Sequence, residues 1–512
     1  MRNYKNFYVH KLFQMITAIV FLVLLSVYAL RGILEMIVQG EGFIWLSQGS
    51  QNPFWASIPS SLANFEVSAV LVGTLLSNLL GLHLQLYYWA WLLVMMLINV
   101  LLFFLVYHLT KNIPTAFATS LIFAVNYAAQ WGVIGWTYTS FLERTITVVF
   151  LIPSFIFLHR YLEGSKLWDF LAAIFLFFLA LWLGQWGLIF VGAYMAYPLF
   201  WFLFKDIKTR RLLLIRILAS GSFLLICAFF LHLHSINQAG VGPRYTFTYF
   251  LLHPQEFHYI ERIPLQLTRW SQYPVLLKGV TTHKPFFKGS PVQYFGDIKG
   301  GNEIVWSVTL AYLMATVVIF FRLPKQRPLL FTLIFGVFSL FLINIFFGRY
   351  FPEEQSGPTR YLYLPAIWLS VFWGLFLWAV FWQKKGWISI VGLSILLGYY
   401  LINSLLLSSS FQAWMYSRNS TYSGTRALFS YIETIRPTLK PNTLIITPWD
   451  EMGCGEDTFL NGQFAKESVT FLPIYNNCAP PGGWEKVAST SSQVIKLKYD
   501  TDCKCVTEQR IK

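Results

Sequence analysis

The chain has 512 residues, of which 56% are apolar, 19% aromatic and only 12% charged, and its mean hydropathy is +0.54. That composition excludes an ordinary soluble globular protein and points to a membrane protein. The formal charge of +15, from 38 Lys and Arg against 23 Asp and Glu, would suggest nucleic-acid binding in a soluble chain. Here it sorts by loop into a topological signal, and no nucleic-acid partner is expected.

Crossing about 30 Å of hydrocarbon takes about 20 residues. In chain order the apolar stretches fall at 13–30, 86–107, 113–130, 145–159, 168–183, 186–204, 212–233, 304–321, 328–348, 361–382 and 387–408, about eleven spans in all. The fifth and sixth separate only if the chain turns at Gly184-Gln185. Arg2, Lys5 and Lys11 precede the first stretch as the basic region of a signal peptide would, but no small-residue cleavage pattern follows, so it reads as an uncleaved span. Counted over alternate loops, one side carries 16 basic residues against the acids Glu163, Asp169 and Asp206. Cytoplasmic loops retain Lys and Arg, which places the N-terminus in the cytoplasm and, after an odd number of spans, the C-terminus outside. The other 22 basic residues and 20 acids face each other in the outer compartments.

Two domains follow: a membrane domain over 1–408, with outer loops at 31–85 and 235–303, and a soluble extracytoplasmic domain over 409–512. Within the first loop, 65–76 reads as a helix in or near the interface. The tail carries TRALFSYIETIRP, a helix with Ala427, Leu428, Tyr431, Ile432 and Ile435 on one face, followed by strand-like NTLIITP, VTFLPIY and VIKLKY. The expected fold is therefore an all-α polytopic membrane protein with a small C-terminal α/β domain. Cys454, Cys478, Cys503 and Cys505 all lie in the tail, and four cysteines outside the cytoplasm read as two disulfides with three possible connectivities. A four-thiolate zinc site is the alternative, but the spacing lacks two CxxC knuckles, so no metal is assigned.

No phosphate loop, G-x-G-x-x-G, H-E-x-x-H or G-x-S-x-G elbow occurs in a usable context. The spans hold essentially no carboxylate at mid-depth, where an ion-coupled transporter would need one. Asn99, Asn126, Gln185, His232 and Asn344 read as interhelical hydrogen-bonding groups. Chemistry is therefore expected among the outer charges.

At GPTRYLYLPAIWLS, 357–370, the chain resembles the E-R-Y-L-Y-L-P-S signature that opens a late transmembrane helix in GT-C glycosyltransferases of the protein O-mannosyltransferase type. The segment from Leu75, LLSNLLGLHLQLYYWAW, is similar to the family's entry into its second span, and PTAFATSLIFAVNYAAQW to its third, with Asn126-Tyr127 where a serine-proline pair is usual. The resemblance implies a GT-C-like fold and an enzyme that takes a sugar from a polyprenyl-phosphate carrier in the membrane and passes it to an extracytoplasmic protein, lipid or glycan. It implies a carboxylate base in the first outer loop. The family's Asp is absent there, and Glu41 stands nearest to its place, with Glu66 where Tyr-Arg-Pro is often found. Glu143 and Arg144 occupy a place facing the family's groove. Arg349 and Arg360, at the outer ends of two spans, suit a lipid phosphate, which Arg binds bidentately. Read without the resemblance, Glu41 is a solvated loop acid, Glu143-Arg144 an interfacial ion pair and Arg360 a headgroup anchor. The alternative function is a non-catalytic lipid or polysaccharide transporter.

Overall fold

The structure is a computed structural model. It describes residues 2–32, 67–126, 138–164, 166–183, 190–204, 214, 217, 220–229, 252, 259–271, 303–348, 363–382, 387–419, 423–448, 455–473, 483–500, 502–503 and 505–511. The chain is mostly helical with a small C-terminal sheet. Helices in the first half are α1 (Arg2–Leu30), α2 (Val67–Leu80), α3 (Leu84–Thr110), α4 (Ile113–Val125), α5 (Tyr138–Gly164), α6 (Leu167–Leu183), α7 (Val191–Phe204) and α8 (Ser220–Phe229). They are followed by α9 (Tyr259–Trp270), α10 (Glu303–Arg322), α11 (Arg327–Gly348), α12 (Tyr363–Leu377), which continues into a π-turn over Trp378–Trp382, and α13 (Trp387–Asn419). Among the described residues, five helices are long and apolar enough to cross a membrane: His10–Leu30, Leu84–Thr110, Thr145–Gly164, Glu303–Arg322 and Val391–Ser409. Shorter apolar helices, including α4, α6 and α8, lie between them.

Helices in hydrocarbon gain little from apolar burial against one another, so close packing of small residues and interhelical hydrogen bonds hold them together. Both devices are present. Gly374 of α12 sits against Thr115 and Thr119 of α4, so closely that a Cβ on Gly374 would lie 1.9 Å from Thr119 Oγ1. Gly192 of α7 meets Ser339 of α11 in the same way, at 3.0 Å from a Cβ position. Asn99 donates from Nδ2 to Ser26 Oγ across α3 and α1 at 3.1 Å. The outward faces carry Phe13, Leu79, Trp168, Leu225, Leu310 and Ile395, all exposed, as side chains facing lipid would be.

The turn between α3 and α4 shows how locally the hairpin is set. Lys111 takes a left-handed φ of 55° and its N–H closes onto Tyr107 O at 2.7 Å. Asn112 then caps α4, accepting from Thr115 N at 3.0 Å, and Pro114 stands in the first turn, where its missing N–H costs nothing.

The tail continues with α14 (Ser423–Ile435), β1 (Thr443–Thr447), α15 (Gly455–Gln463), β2 (Val469–Pro473), α16 (Gly483–Thr490), β3 (Gln493–Asp500) and β4 (Cys505–Arg510). The sheet order is β2-β1-β3-β4. β1 pairs parallel with β2 (Thr443↔Val469) and with β3 (Thr443↔Gln493), and β3 pairs antiparallel with β4 (Asp500↔Cys505). Central β1 is buried throughout, as a parallel strand covered on both faces must be. Leu444, Ile446 and Val494 face Trp484 and Val487 of α16, while Ile445, Ile495 and Leu497 join α14 and α15 in the main core. At the β2 edge Asn461 replaces a neighbouring strand: its Nδ2 donates to Phe471 O at 3.1 Å and its Oδ1 accepts from Phe471 N at 2.7 Å. Asn461→Ala leaves both buried backbone groups unpaired and is expected to cost about 1–3 kcal/mol. Limited proteolysis of the full chain should show earlier cleavage in the tail.

Cys503 and Cys505 form a disulfide with one residue between them, both exposed, in the β3–β4 turn. Cys454 and Cys478 lie outside the described residues. So small a loop constrains the unfolded chain little.

Candidate functional site

Of the residues singled out from sequence, Glu41, Glu66, Arg349 and Arg360 lie outside the described residues. Glu143 and Arg144 fall early in α5, where only their backbone is described. The elements around them are described. Glu66 directly precedes α2, which packs on α5, the helix that carries Glu143. Arg349 directly follows α11, which packs on α12, and Arg360 stands three residues before α12 begins at Tyr363. The RYLYLP string thus opens a helix, with Pro365 in its first turn, a position that needs no N–H partner. α5 and α12 meet directly: Phe155 and Trp368 are edge to face at 5.4 Å. A small apolar cavity beside them is lined by Leu105, Phe155, Phe190, Tyr194 and Trp368 among others.

The best-described polar convergence lies elsewhere, where two short helices end against each other. Asn126, directly after α4, donates from Nδ2 to Trp270 O at 3.2 Å and to Tyr400 Oη at 2.8 Å. Ser271, directly after α9, pairs its hydroxyl with Tyr312 Oη at 3.0 Å, and Trp373 Nε1 donates to the same oxygen at 3.0 Å. Five helices, α4, α9, α10, α12 and α13, therefore share one buried hydrogen-bonded junction. Asn126 and Trp270 are 0% and 1% exposed. A buried network of this kind is rigid only when its members are satisfied. One donor stands out: Trp270 Nε1 has no hydrogen-bond partner among the described residues.

Sequence alone marks Asn126 as a polar group in an apolar stretch. It does not mark Tyr312, Tyr400 or Trp270, since aromatic residues are common along every span and only their partners distinguish these three.

At the opposite end of α5, His159 is buried in an aromatic box. Its Nδ1 shares a 2.7 Å hydrogen bond with Tyr197 Oη, and Trp201 packs edge to face on its ring at 5.4 Å. Glu163 Oε2 stands 3.5 Å from Nε2. Next to it Arg160 pairs with the buried Asp169 of α6 at 3.2 Å, tying α5 to α6. Both contacts explain helix packing without any reaction.

No group of three or more His, Cys, Asp or Glu that could hold a metal occurs among the described residues. No protein-family model and no curated protein matches this chain.

Proposed function

We propose that this protein is an integral-membrane glycosyltransferase of the GT-C type, with about eleven spans, a cytoplasmic N-terminus and an extracytoplasmic tail. It moves a sugar from a polyprenyl-phosphate carrier to an acceptor outside the cytoplasm. The RYLYLP resemblance supports the class, and the two ends of α3 support the sidedness. α3 has 27 residues, about 40 Å of helix. At its start, His83 Nε2 stands 3.7 Å from Glu433 of α14, and Gln463 of α15 donates to Ser77 O of α2 at 3.2 Å, so the tail sits at this end. At its finish are Lys111 and Leu109, whose carbonyl accepts from Gln326 at 3.4 Å in the basic Arg322–Arg327 turn, and Lys11 lies over Tyr107 at 5.2 Å. Tail and basic turn thus lie at opposite ends of one membrane-length helix, which supports the sidedness proposed from the charge rule.

In this reading Glu41 takes the proton of the acceptor hydroxyl. The acceptor oxygen bonds to the sugar C1 as the C1–O bond to phosphate breaks, inverting the carbon. The leaving polyprenyl phosphate keeps the electron pair, and Arg360 meets its charge. The test is sugar release from a radiolabelled polyprenyl-phosphate hexose by the purified chain in nanodiscs, with a membrane extract as acceptor source. Appearance of label on an extract component supports the transferase. Retention of all label on the carrier, with flux of lipid or glycan across reconstituted vesicles, establishes the transporter instead.

Sidedness has its own measurement. After mild reduction, a membrane-impermeant maleimide added outside intact cells is expected to modify Cys503 and Cys505. Modification only after the membrane is opened overturns the orientation. The melting temperature should change little, because the loop that the disulfide closes is so short.

A further inference from the structure

The helix α9, YIERIPLQLTRW, belongs by sequence to the second outer loop and has 12 residues. That is about 18 Å of helix, too short to cross about 30 Å of hydrocarbon but long enough to reach its middle. Its charged and apolar faces would also suit a helix lying flat in the headgroups. The two placements differ in what the helix touches. A flat interfacial helix meets the ends of spans, whereas one that enters the bilayer meets their middles.

α9 meets middles. It packs on α10 and α11, with Leu265, Gln266, Thr268 and Trp270 at 5%, 5%, 0% and 1% exposure. Ser271 bonds to Tyr312, the tenth residue of the 20-residue span Glu303–Arg322. Trp270 O bonds to Asn126, which also bonds Tyr400, the fourteenth of the 22 residues in the apolar stretch 387–408 of α13. Both spans place the end of α9 near half depth. α4, coming from the basic Lys111-Asn112 turn, ends at the same point after 13 residues, about 20 Å.

We infer that α9 is a re-entrant helix whose C-terminal end is fixed at the bilayer midplane, with Asn126 as the tie that holds it there. A helix ending in hydrocarbon leaves carbonyls that cost several kcal/mol each unless protein satisfies them. Two of the last four have partners here: Trp270 O accepts from Asn126, and Leu267 O accepts from Ser271 N and Oγ at 3.0 and 2.7 Å. The side chains of Asn126 and Ser271 thus bond terminal carbonyls that water would bond at an interface. Functionally, α9 is a strap that pins the second outer loop into the membrane domain at the α4–α10–α13 junction.

The experiment places a nitroxide on a ketone-bearing amino acid at Leu267, in the full chain in phospholipid bilayers whose headgroups carry a gadolinium chelate in both leaflets. Relaxation enhancement falls steeply with distance from the headgroups. References are the same label at Leu12, early in the span His10–Leu30, and at Leu313, beside Tyr312; both are exposed at 59%. The label at Leu267 is expected to relax as slowly as at Leu313 and several-fold more slowly than at Leu12, with Ile263, a turn earlier, in between. A Leu267 rate equal to that at Leu12 overturns the proposal. If the Leu267 label disrupts folding, judged by size-exclusion profile, the Ile263 label is read instead: a rate clearly below that at Leu12 supports the re-entrant placement, and a rate equal to that at Leu12 overturns it. Asn126→Ala in the labelled chain should raise the Leu267 rate, and an unchanged rate removes Asn126 as the tie.

Discussion

Glu41→Gln is expected to lower sugar transfer by about 10²- to 10⁴-fold in kcat, the usual contribution of a positioned general base, while leaving KM for the lipid-linked donor within a few-fold. The amide keeps size and hydrogen bonding and removes only the capacity to take a proton. Arg360→Ala should behave differently. Removing a cation that faces phosphate both in the bound donor and in the leaving group raises KM and lowers kcat together. Arg360→Lys should recover only part of the loss, because an ammonium cannot make the two parallel contacts of a guanidinium. Single-turnover transfer with the two variants separates these roles. Full activity of Glu41→Gln would remove Glu41 as the base and move attention to Glu66 and Glu143, two further carboxylates of the outer set.

The second large effect concerns packing. Gly374→Ala puts a methyl carbon 1.9 Å from Thr119 Oγ1 and 3.1 Å from Thr119 Cβ, with the Thr115 carbonyl at 3.4 Å behind them. Overpacking of this sort costs about 1–3 kcal/mol, and more for Gly374→Val, whose two further methyls need more room still. Thr119→Ala alone should be nearly neutral in comparison, since Thr119 Oγ1 has no hydrogen-bond partner among the described residues. The double variant Gly374→Ala/Thr119→Ala should therefore recover much of the loss, a coupling of about 0.5–3 kcal/mol. Thermal unfolding of the four chains in one detergent measures it. Strictly additive shifts would mean that α4 and α12 do not approach this closely.

Local signals carried a large part of the fold. Apolar runs of helical length mark the membrane helices, as α3 and α10 show, because hydrocarbon admits only backbone that satisfies its own hydrogen bonds. In the tail the apolar face of TRALFSYIETIRP became α14, and the three β-rich strings became β1, β2 and β3. β4 escaped notice because CVTEQR is polar and mostly exposed, as an edge strand is when only one neighbour pairs with it. The site was legible only as a set of charged residue types in outer loops. Charge and hydropathy are additive along a chain, so they report which side of a membrane a loop occupies but not which loops meet.

What the sequence by itself determined, then, is the membrane character of the chain, the places of its apolar helices and the α/β character of the tail. Each of these depends on the preference of a short segment for hydrocarbon, water or a β-sheet. Only the tertiary structure decided that Gly374 is a contact point, that Asn461 stands in for a strand at the β2 edge, and that the tail docks at the His83 end of α3. It alone decided that α9 ends against the middle of α10 and is linked through Asn126 to Tyr400 of α13. These depend on pairs of residues up to 386 positions apart, and a partner that distant leaves no trace in the local pattern of either residue.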